Sequence, residues 1–286
     1  MTGVCQPPIP PGDLLLHAGD LSVWGTFSEI QAQLTWLSQQ QHRYKVVVAG
    51  NHDLLLDPEF IERHPERWEQ IQQTTCSTGE ADDSKTAKDL DWGGLIYLRN
   101  SHVPLKFPDN RDITIYGSPL TPQYGISAFQ YRPSEDFWSG RIPTNTDIVL
   151  THGPPWGHLD GLKKSGCAFL VREVARVRPQ LVVYGHIHIG YGMEESVYDR
   201  VGKAYEAVMG QLGGRGTLVG MAWGIVWEWF LGKIFHRAGK KTIFVNAAVV
   251  EGWEEHVVKN AAVVVQILVN LITRCSAGYF GEGIDH

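Results

Sequence analysis

Cysteine is scarce in this chain. Cys5, Cys76, Cys167 and Cys275 are its only four, widely scattered and with no Cys-x-x-Cys pair. That excludes a disulfide framework or a zinc knuckle and favours a reducing compartment. Positive charge is also short: 25 Lys+Arg against 31 Asp+Glu leave a net charge of −6. Such a balance argues against extended nucleic acid as a partner, because there is no basic stripe to track a phosphate backbone. A small phosphorylated substrate stays allowed, since a bound dication overrides the local sign of charge. The first twelve residues are rich in proline and lack both a basic n-region and an apolar h-region. No signal peptide is read there, and the expected location is cytoplasmic. Repeats are lacking too: Asn-Ala-Ala-Val-Val recurs at Asn246 and Asn260, but it is too short to mark a structural unit.

What remains is ordinary globular composition, with 43% hydrophobic and 20% charged residues. The length suits a single domain over residues 1–286 with an apolar, Trp-rich insertion around 203–238. Asp13 to His17 reads as a short buried strand. Ile30, Leu34 and Leu37 recur at helical spacing over Ser28 to Gln40, with Ser28 as N-cap. The Val46-Val47-Val48 run predicts a second strand over Lys45 to Ala49, so the opening is a βαβ unit. Asp57 to Gln73 reads as one helix and Thr74 to Asp91 as a polar loop. Leu95 to Leu98, Ile113 to Tyr116, Asp147 to Leu150 and Leu181 to Tyr184 read as strands, and Phe169 to Val177 as a helix stopped by Pro179. Pro119 to Pro143 has no period and reads as a long surface loop. Thr242 to Val250 and Ala261 to Val269 read as closing strands.

Thr217 to Phe235 carries Trp223, Trp227 and Trp229, with only Glu228 and Lys233 charged. Three readings stand for it: a helix packed on the domain, a membrane-surface or protein-contact helix, and a spanning helix. Glu228 and the interrupting Gly220, Gly224 and Gly232 disfavour the last.

Several predicted strands end abruptly in small or polar residues: Gly19-Asp20, Gly50-Asn51-His52-Asp53, Thr151-His152-Gly153 and Gly185-His186-Ile187-His188. In α/β proteins ligands sit where the carboxyl ends of strands converge. Hydrolysis of a phosphate ester needs the phosphoryl charge neutralised, a water activated and a proton donor near the leaving oxygen. A two-metal site does the first two, given a carboxylate able to bridge both ions and imidazole and amide ligands to complete the shells. Taken singly, Asp20 is more often a turn former or a cap, and His152 more often a satisfied loop histidine than a ligand. The four motifs in this order are a different matter.

Together these strings resemble the ordered signature of calcineurin-like metallophosphoesterases. Leu15-Leu16-His17-Ala18-Gly19-Asp20, Thr151-His152-Gly153-Pro154-Pro155 and the run from Gly185 to Gly192 look closest to the metallophosphoesterase-domain branch related to brain protein 239. The resemblance covers roughly Asp13 to Ile267. It implies a four-layer α/β/β/α sandwich with two mixed sheets and a dinuclear site for divalent metal: manganese, iron or zinc. It implies Asp20 as the bridging carboxylate, Asn51, His152 and His186 as ligands of the second metal, and His188 as ligand of the first. His52 would be the non-ligand histidine that stabilises phosphoryl oxygens or protonates the leaving group. Asp53 would either orient His52 or cap the following helix. His158 and Asp160 either line the substrate pocket or belong to a polar loop.

One element of the family pattern is missing. Its first motif, an Asp-x-His at the end of a strand before Gly-Asp, has no counterpart; upstream of Asp20 stand only His17 and Asp13. The expectation is a sheet without its first strand and a first metal left with His188 and Asp20. Such a site would hold one metal well and hydrolyse esters poorly. A start downstream of the natural one, a short isoform and a diverged single-metal protein would each account for this. A non-catalytic scaffold of the same fold is the alternative function.

Overall fold

The computed structural model describes residues 6–76, 85–198, 202, 205, 214, 216–217, 219–220, 222–224, 240–250 and 260–267. The chain opens with β1 (Leu14–Ala18), α1 (Phe27–Ser38) and β2 (Tyr44–Val48), with β1 and β2 paired in parallel. The cap of α1 is Thr26, not Ser28. Thr26 and Glu29 form a reciprocal capping box that satisfies backbone N–H groups at the helix start. The single helix expected over 57–73 is two, α2 (Pro58–Arg63) and α3 (Pro65–Cys76). Pro65 disfavours helical backbone at His64 and so separates them. A short β3 (Ile96–Tyr97) completes a small sheet in the order β1-β2-β3, parallel throughout.

The larger sheet is built from β4 (Ser101–Lys106), β5 (Asp112–Ser118), β8 (Ile148–Thr151), β9 (Leu181–Tyr184), β10 (Gly192–Val197) and β11 (Lys241–Asn246). Its order is β10-β11-β9-β8-β5-β4. The four central strands are parallel, and the edges β10 and β4 run antiparallel to their neighbours. β4 was not legible as a strand because Pro104 interrupts its period; an edge strand tolerates it. Residues 119–143 hold one small parallel pair, β6 (Thr121–Pro122) with β7 (Gln130–Tyr131). The helix α4 (Ala168–Val177) is capped by Cys167 and ends at Arg178 in the left-handed conformation.

Alternation along β2 sorts the layers. Val47 faces a core formed with Ile30, Leu34 and Leu37 of α1 and Phe60 of α2. Val46 and Val48 face the opposite way, onto Ile113, Ile115, Ile148, Leu150 and Val183 of the larger sheet. The far face of that sheet, with Val149, Val182, Tyr184 and Phe244, packs on Leu170, Val174 and Val177 of α4 and on Trp138. Helix, sheet, sheet and helix are therefore stacked in four layers.

β1 is the outer strand of the small sheet, and all five of its residues are half-buried. Parallel strands are usually covered on both faces. Of the expected closing strand, residues 260–267 form no ladder, although Val263, Val265 and Ile267 pack on the core between the sheets. Residues 268 and 269 lie outside the described residues. Most of the Trp-rich insertion does so too; its described residues Val219 and Trp223 are exposed. Among the described residues no helix is long and apolar enough to cross a membrane.

Candidate metal centre

The carboxyl ends of β1 and β2, in one sheet, meet those of β8 and β9 in the other. Asp20, His152 and His186 follow three of these strands, and each offers a ligand atom within 4.8 Å of the others. Asp20 and His186 are held at φ 55° and 63°, in the left-handed region that non-glycine residues seldom adopt. Backbone of this kind persists only where the surroundings over-determine it, and such positions cluster at functional sites. Gly50 allows the close approach of the two sheets. A Cβ there would fall on the Asp20 Oδ1 and backbone N and within 2.7 Å of His152 Cε1.

The hydrogen bonds define what these atoms offer. His152 Nδ1 lies 2.8 Å from the Ala18 carbonyl, which places the ring proton on Nδ1. Burial holds the His152 pKa below its ordinary value, so the ring is neutral and Nε2 carries a lone pair. That Nε2 sits 2.8 Å from Asn51 Oδ1 and 3.4 Å from Asp20 Oδ1. The Asn51 amide is turned this way because its Nδ2 donates to Ser127 Oγ at 3.3 Å. Three acceptors thus face one another with no proton among them. A buried cluster of that kind is relieved by a cation, so the donor set fits a divalent metal. Burial, together with His152 beside it, lowers the His186 pKa to about 3, which leaves a second neutral imidazole. Burial disfavours charge on Asp20, but His152, His52 and His186 outweigh it and hold its pKa below the usual value.

His52 stands beside the cluster and outside it. Its N–H donates to Asp20 Oδ1 at 3.0 Å, and its ring Nδ1 donates to the Val23 carbonyl at 2.9 Å. Burial works against protonation of this ring, yet the Asp20 charge and the Val23 bond raise its pKa overall.

Neither role expected of Asp53 describes it. The carboxylate is fully buried and accepts Leu21 N–H (3.1 Å), Ser22 N–H (3.0 Å), Ser22 Oγ–H (2.7 Å) and Gly50 N–H (2.7 Å). It makes no cap hydrogen bond to the turn that follows, and it acts on the His52 ring only through its charge. Its pKa is pushed up to about 7 by burial and by Asp20. Asp53 is a clamp joining the loop after β1 to the loop after β2.

His158 also departs from expectation. It is buried, stacked on Phe244 with ring centroids 3.9 Å apart, and its Nδ1 lies 2.6 Å from Glu194 Oε1. A side chain so enclosed lines no open pocket. Asp160 is buried as well and closes its own loop by accepting Gly157 and Gly166 N–H. His188 is half-buried and outside the converging group, although its charge acts on His152 and His186.

Sequence reasoning missed three contributors. Ser127 orients Asn51. Asn246, at the end of β11, donates to the carbonyls of Leu159 and Ile187 and so braces the loop that carries His186. His17, on β1, has a buried Nδ1 with no hydrogen-bond partner among the described residues and a pKa lowered by burial to about 4. Only the strand-end position of Asn246, like that of the other motifs, could have pointed to it.

The comparisons agree with this arrangement. The sequence profile of the calcineurin-like phosphoesterase family matches residues 4–190. Over 252 residues the chain is 38% identical to the probable rhamnogalacturonate lyase C of Emericella nidulans, covering 86% of this chain and 22% of that protein. It is 35% identical to human metallophosphoesterase domain-containing protein 1, covering 65% of this chain and 57% of that one. With a UPF0046 protein of Caenorhabditis elegans it shares 36% identity, over 67% of this chain and 50% of that protein. The chain therefore spans about a fifth of the first relative and little more than half of the others. On the profile match and these similarities, the chain belongs to the calcineurin-like phosphoesterase family, in the branch of the metallophosphoesterase domain-containing proteins.

Proposed function

We propose that the chain is a metal-dependent hydrolase of phosphoric esters, acting on small phosphodiesters or phosphomonoesters, nucleotides among them. One observation carries the reading: Asp20 Oδ1, Asn51 Oδ1 and His152 Nε2 converge as unprotonated acceptors beside His186. In this reading Asp20, Asn51, His152 and His186 hold one metal, manganese, iron or zinc, and Asp20 with His188 holds a second more weakly. Bound metal supplies Lewis acidity toward the phosphoryl oxygens and activates water. The protein's own proton donor is His52. Its raised pKa favours the imidazolium, and with Nδ1 engaged by Val23 its Nε2–H is the one free to reach a leaving oxygen. The missing Asp-x-His supports low activity in the chain as it stands.

The test is calorimetric titration with Mn²⁺ followed by turnover of bis-p-nitrophenyl phosphate. One tight site and slow turnover are expected. His52→Gln should keep the metal and lose roughly a hundredfold to ten-thousandfold in rate. Metal bound with no turnover of any ester counts against hydrolysis. It favours the second reading, a non-catalytic scaffold, for which the exposed Val219 and Trp223 speak. Co-sedimentation with liposomes, with and without residues 217–235, then tests membrane contact; equal recovery of both would remove it.

A further inference from the structure

The segment between Asp20 and α1 is held from two sides. On one side it lies against the loop after β2. Leu21 and Ser22 are clamped by Asp53, and Leu55 N–H donates to the Gly25 carbonyl at 3.3 Å. A Cβ on Gly25 would stand 2.6 Å from the His52 carbonyl oxygen and the Leu54 nitrogen, so the two loops are in direct contact. On the other side stands the Glu29 carboxylate, only 5% exposed. Its Oε1 accepts Val23 N–H at 3.2 Å; its Oε2 accepts Trp24 N–H at 3.0 Å, Thr26 N–H at 3.3 Å and Thr26 Oγ–H at 3.1 Å. A capping glutamate needs only the last residues of that group. Here it also gathers Val23 and Trp24, three and two residues before the cap.

We infer that Glu29 is a positioning residue for His52: by accepting the Trp24 N–H it fixes the peptide that joins Val23 to Trp24, and so directs the Val23 carbonyl that holds the proton on His52 Nδ1. The Val23 carbonyl is 2.9 Å from that nitrogen and accepts its proton. A neutral imidazole left to itself distributes its proton over both nitrogens, so a fixed acceptor is needed to keep Nε2 facing the site. Among the described residues no carboxylate hydrogen-bonds the His52 ring; the carbonyl does the orienting, and Glu29 orients the carbonyl. The inference rests on the proposed role of His52 for its catalytic meaning, but not for its structural content.

Two variants separate this role from simple helix capping. Glu29→Asp keeps a carboxylate able to close the capping box on Thr26, as Asp89 does on Thr86, but is one methylene too short for Val23 and Trp24. Glu29→Ala removes the whole support. The ring ¹⁵N shifts of His52 are read on the full chain with Zn²⁺ bound, at a pH where the ring is neutral, and assigned with His52→Gln. The parent is expected to show the proton on Nδ1. Glu29→Asp is expected to melt within a few degrees of the parent and to bind Zn²⁺ equally, yet to move the tautomer ratio about tenfold or more toward the Nε2–H form. Donation from the imidazolium Nε2–H leaves the ring with its proton on Nδ1, the form this variant disfavours, so turnover of alkyl esters, which need a proton on the leaving oxygen, should fall about threefold to tenfold in kcat, with p-nitrophenyl esters and KM little changed. An unchanged His52 ring spectrum in Glu29→Asp overturns the inference, whether or not Glu29→Ala folds. Absence of turnover in the metal-loaded parent overturns the hydrolase reading alone, because the ring spectrum is read without turnover.

Discussion

Asp53 Oδ2 accepts the Gly50 N–H at 2.7 Å, three residues back along the chain, and the same oxygen accepts Leu21 N–H at 3.1 Å. One buried carboxylate oxygen therefore fastens the loop that carries Asp20 to the loop that carries Asn51 and His52. In Asp53→Asn, two of the four donors would meet an amide NH₂. A loss of roughly 1–3 kcal/mol in unfolding free energy is expected from chemical denaturation. Metal affinity should fall with it, since Asp20 is no longer tied to Asn51. Unaltered stability would show that the clamp carries no load.

Ser127 exchanges hydrogen bonds with Asn51: its Oγ accepts from Asn51 Nδ2 and donates to the Asn51 carbonyl at 2.5 Å. Ser127→Ala should free the amide to turn its NH₂ toward His152 Nε2, replacing a metal ligand by a proton donor. The expected result is about a tenfold weaker Mn²⁺ affinity by calorimetry, the scale usual for partners of ligating groups. His152→Ala, which deletes a ligand outright, should abolish the tight site.

Acid should destabilise the metal-free protein. His17, His152 and His186 are all held below the ordinary histidine value, His17 at about 4 and His186 at about 3. As pH falls below about 6.5, the unfolded chain takes up protons that the folded chain refuses, so stability drops. Asp53, raised to about 7, works the other way: between about 7 and 3.8 the folded chain binds the extra proton. His52, with its raised pKa, acts in the same sense as Asp53, but the three lowered imidazoles outweigh the two between about pH 6.5 and 4. The urea midpoint should therefore be lower at pH 5 than at pH 7; an equal or higher midpoint at pH 5 contradicts the sign.

Gly50→Ala places a methyl group on Asp20 Oδ1 and against His152. Relief of that contact requires the seam between the sheets to open. The expected cost is about 1–3 kcal/mol in stability by thermal or urea unfolding, with loss of the tight metal site. Gly94→Ala, where a Cβ meets nothing within 4 Å but the backbone is at φ 81°, controls for strain without crowding.

The central strands were legible because burial on both faces leaves uninterrupted apolar runs: Val46-Val47-Val48 and Leu181 to Tyr184 appear in the structure close to where the pattern puts them. Strands without such runs were not legible. β4 contains Pro104, and β10 alternates Met193, Glu194 and Glu195 in a way that reads as polar loop, although Glu194 reaches inward to His158. The break between α2 and α3 was written in Pro65 and passed over because the apolar spacing continues across it.

The residue types able to hold a cation, and their placement just after strands, are properties of the linear chain: local hydrophobic runs decide where strands stop, and the polar residue that follows is read directly. Which of them meet is a matter of long-range contact. His152 reaches Ala18 across 134 positions and Asn51 across 101, and Asp53 reaches Leu21 across 32. Motif position sees only near neighbours, so the resemblance offered Asp53 and His158 roles that their hydrogen bonds and packing do not support, and it passed no information on Glu29, Ser127 and Asn246. Those assignments were made by the packing of two sheets face to face, because only where their strand ends meet does a side chain find the partner that decides its charge, its proton and its direction.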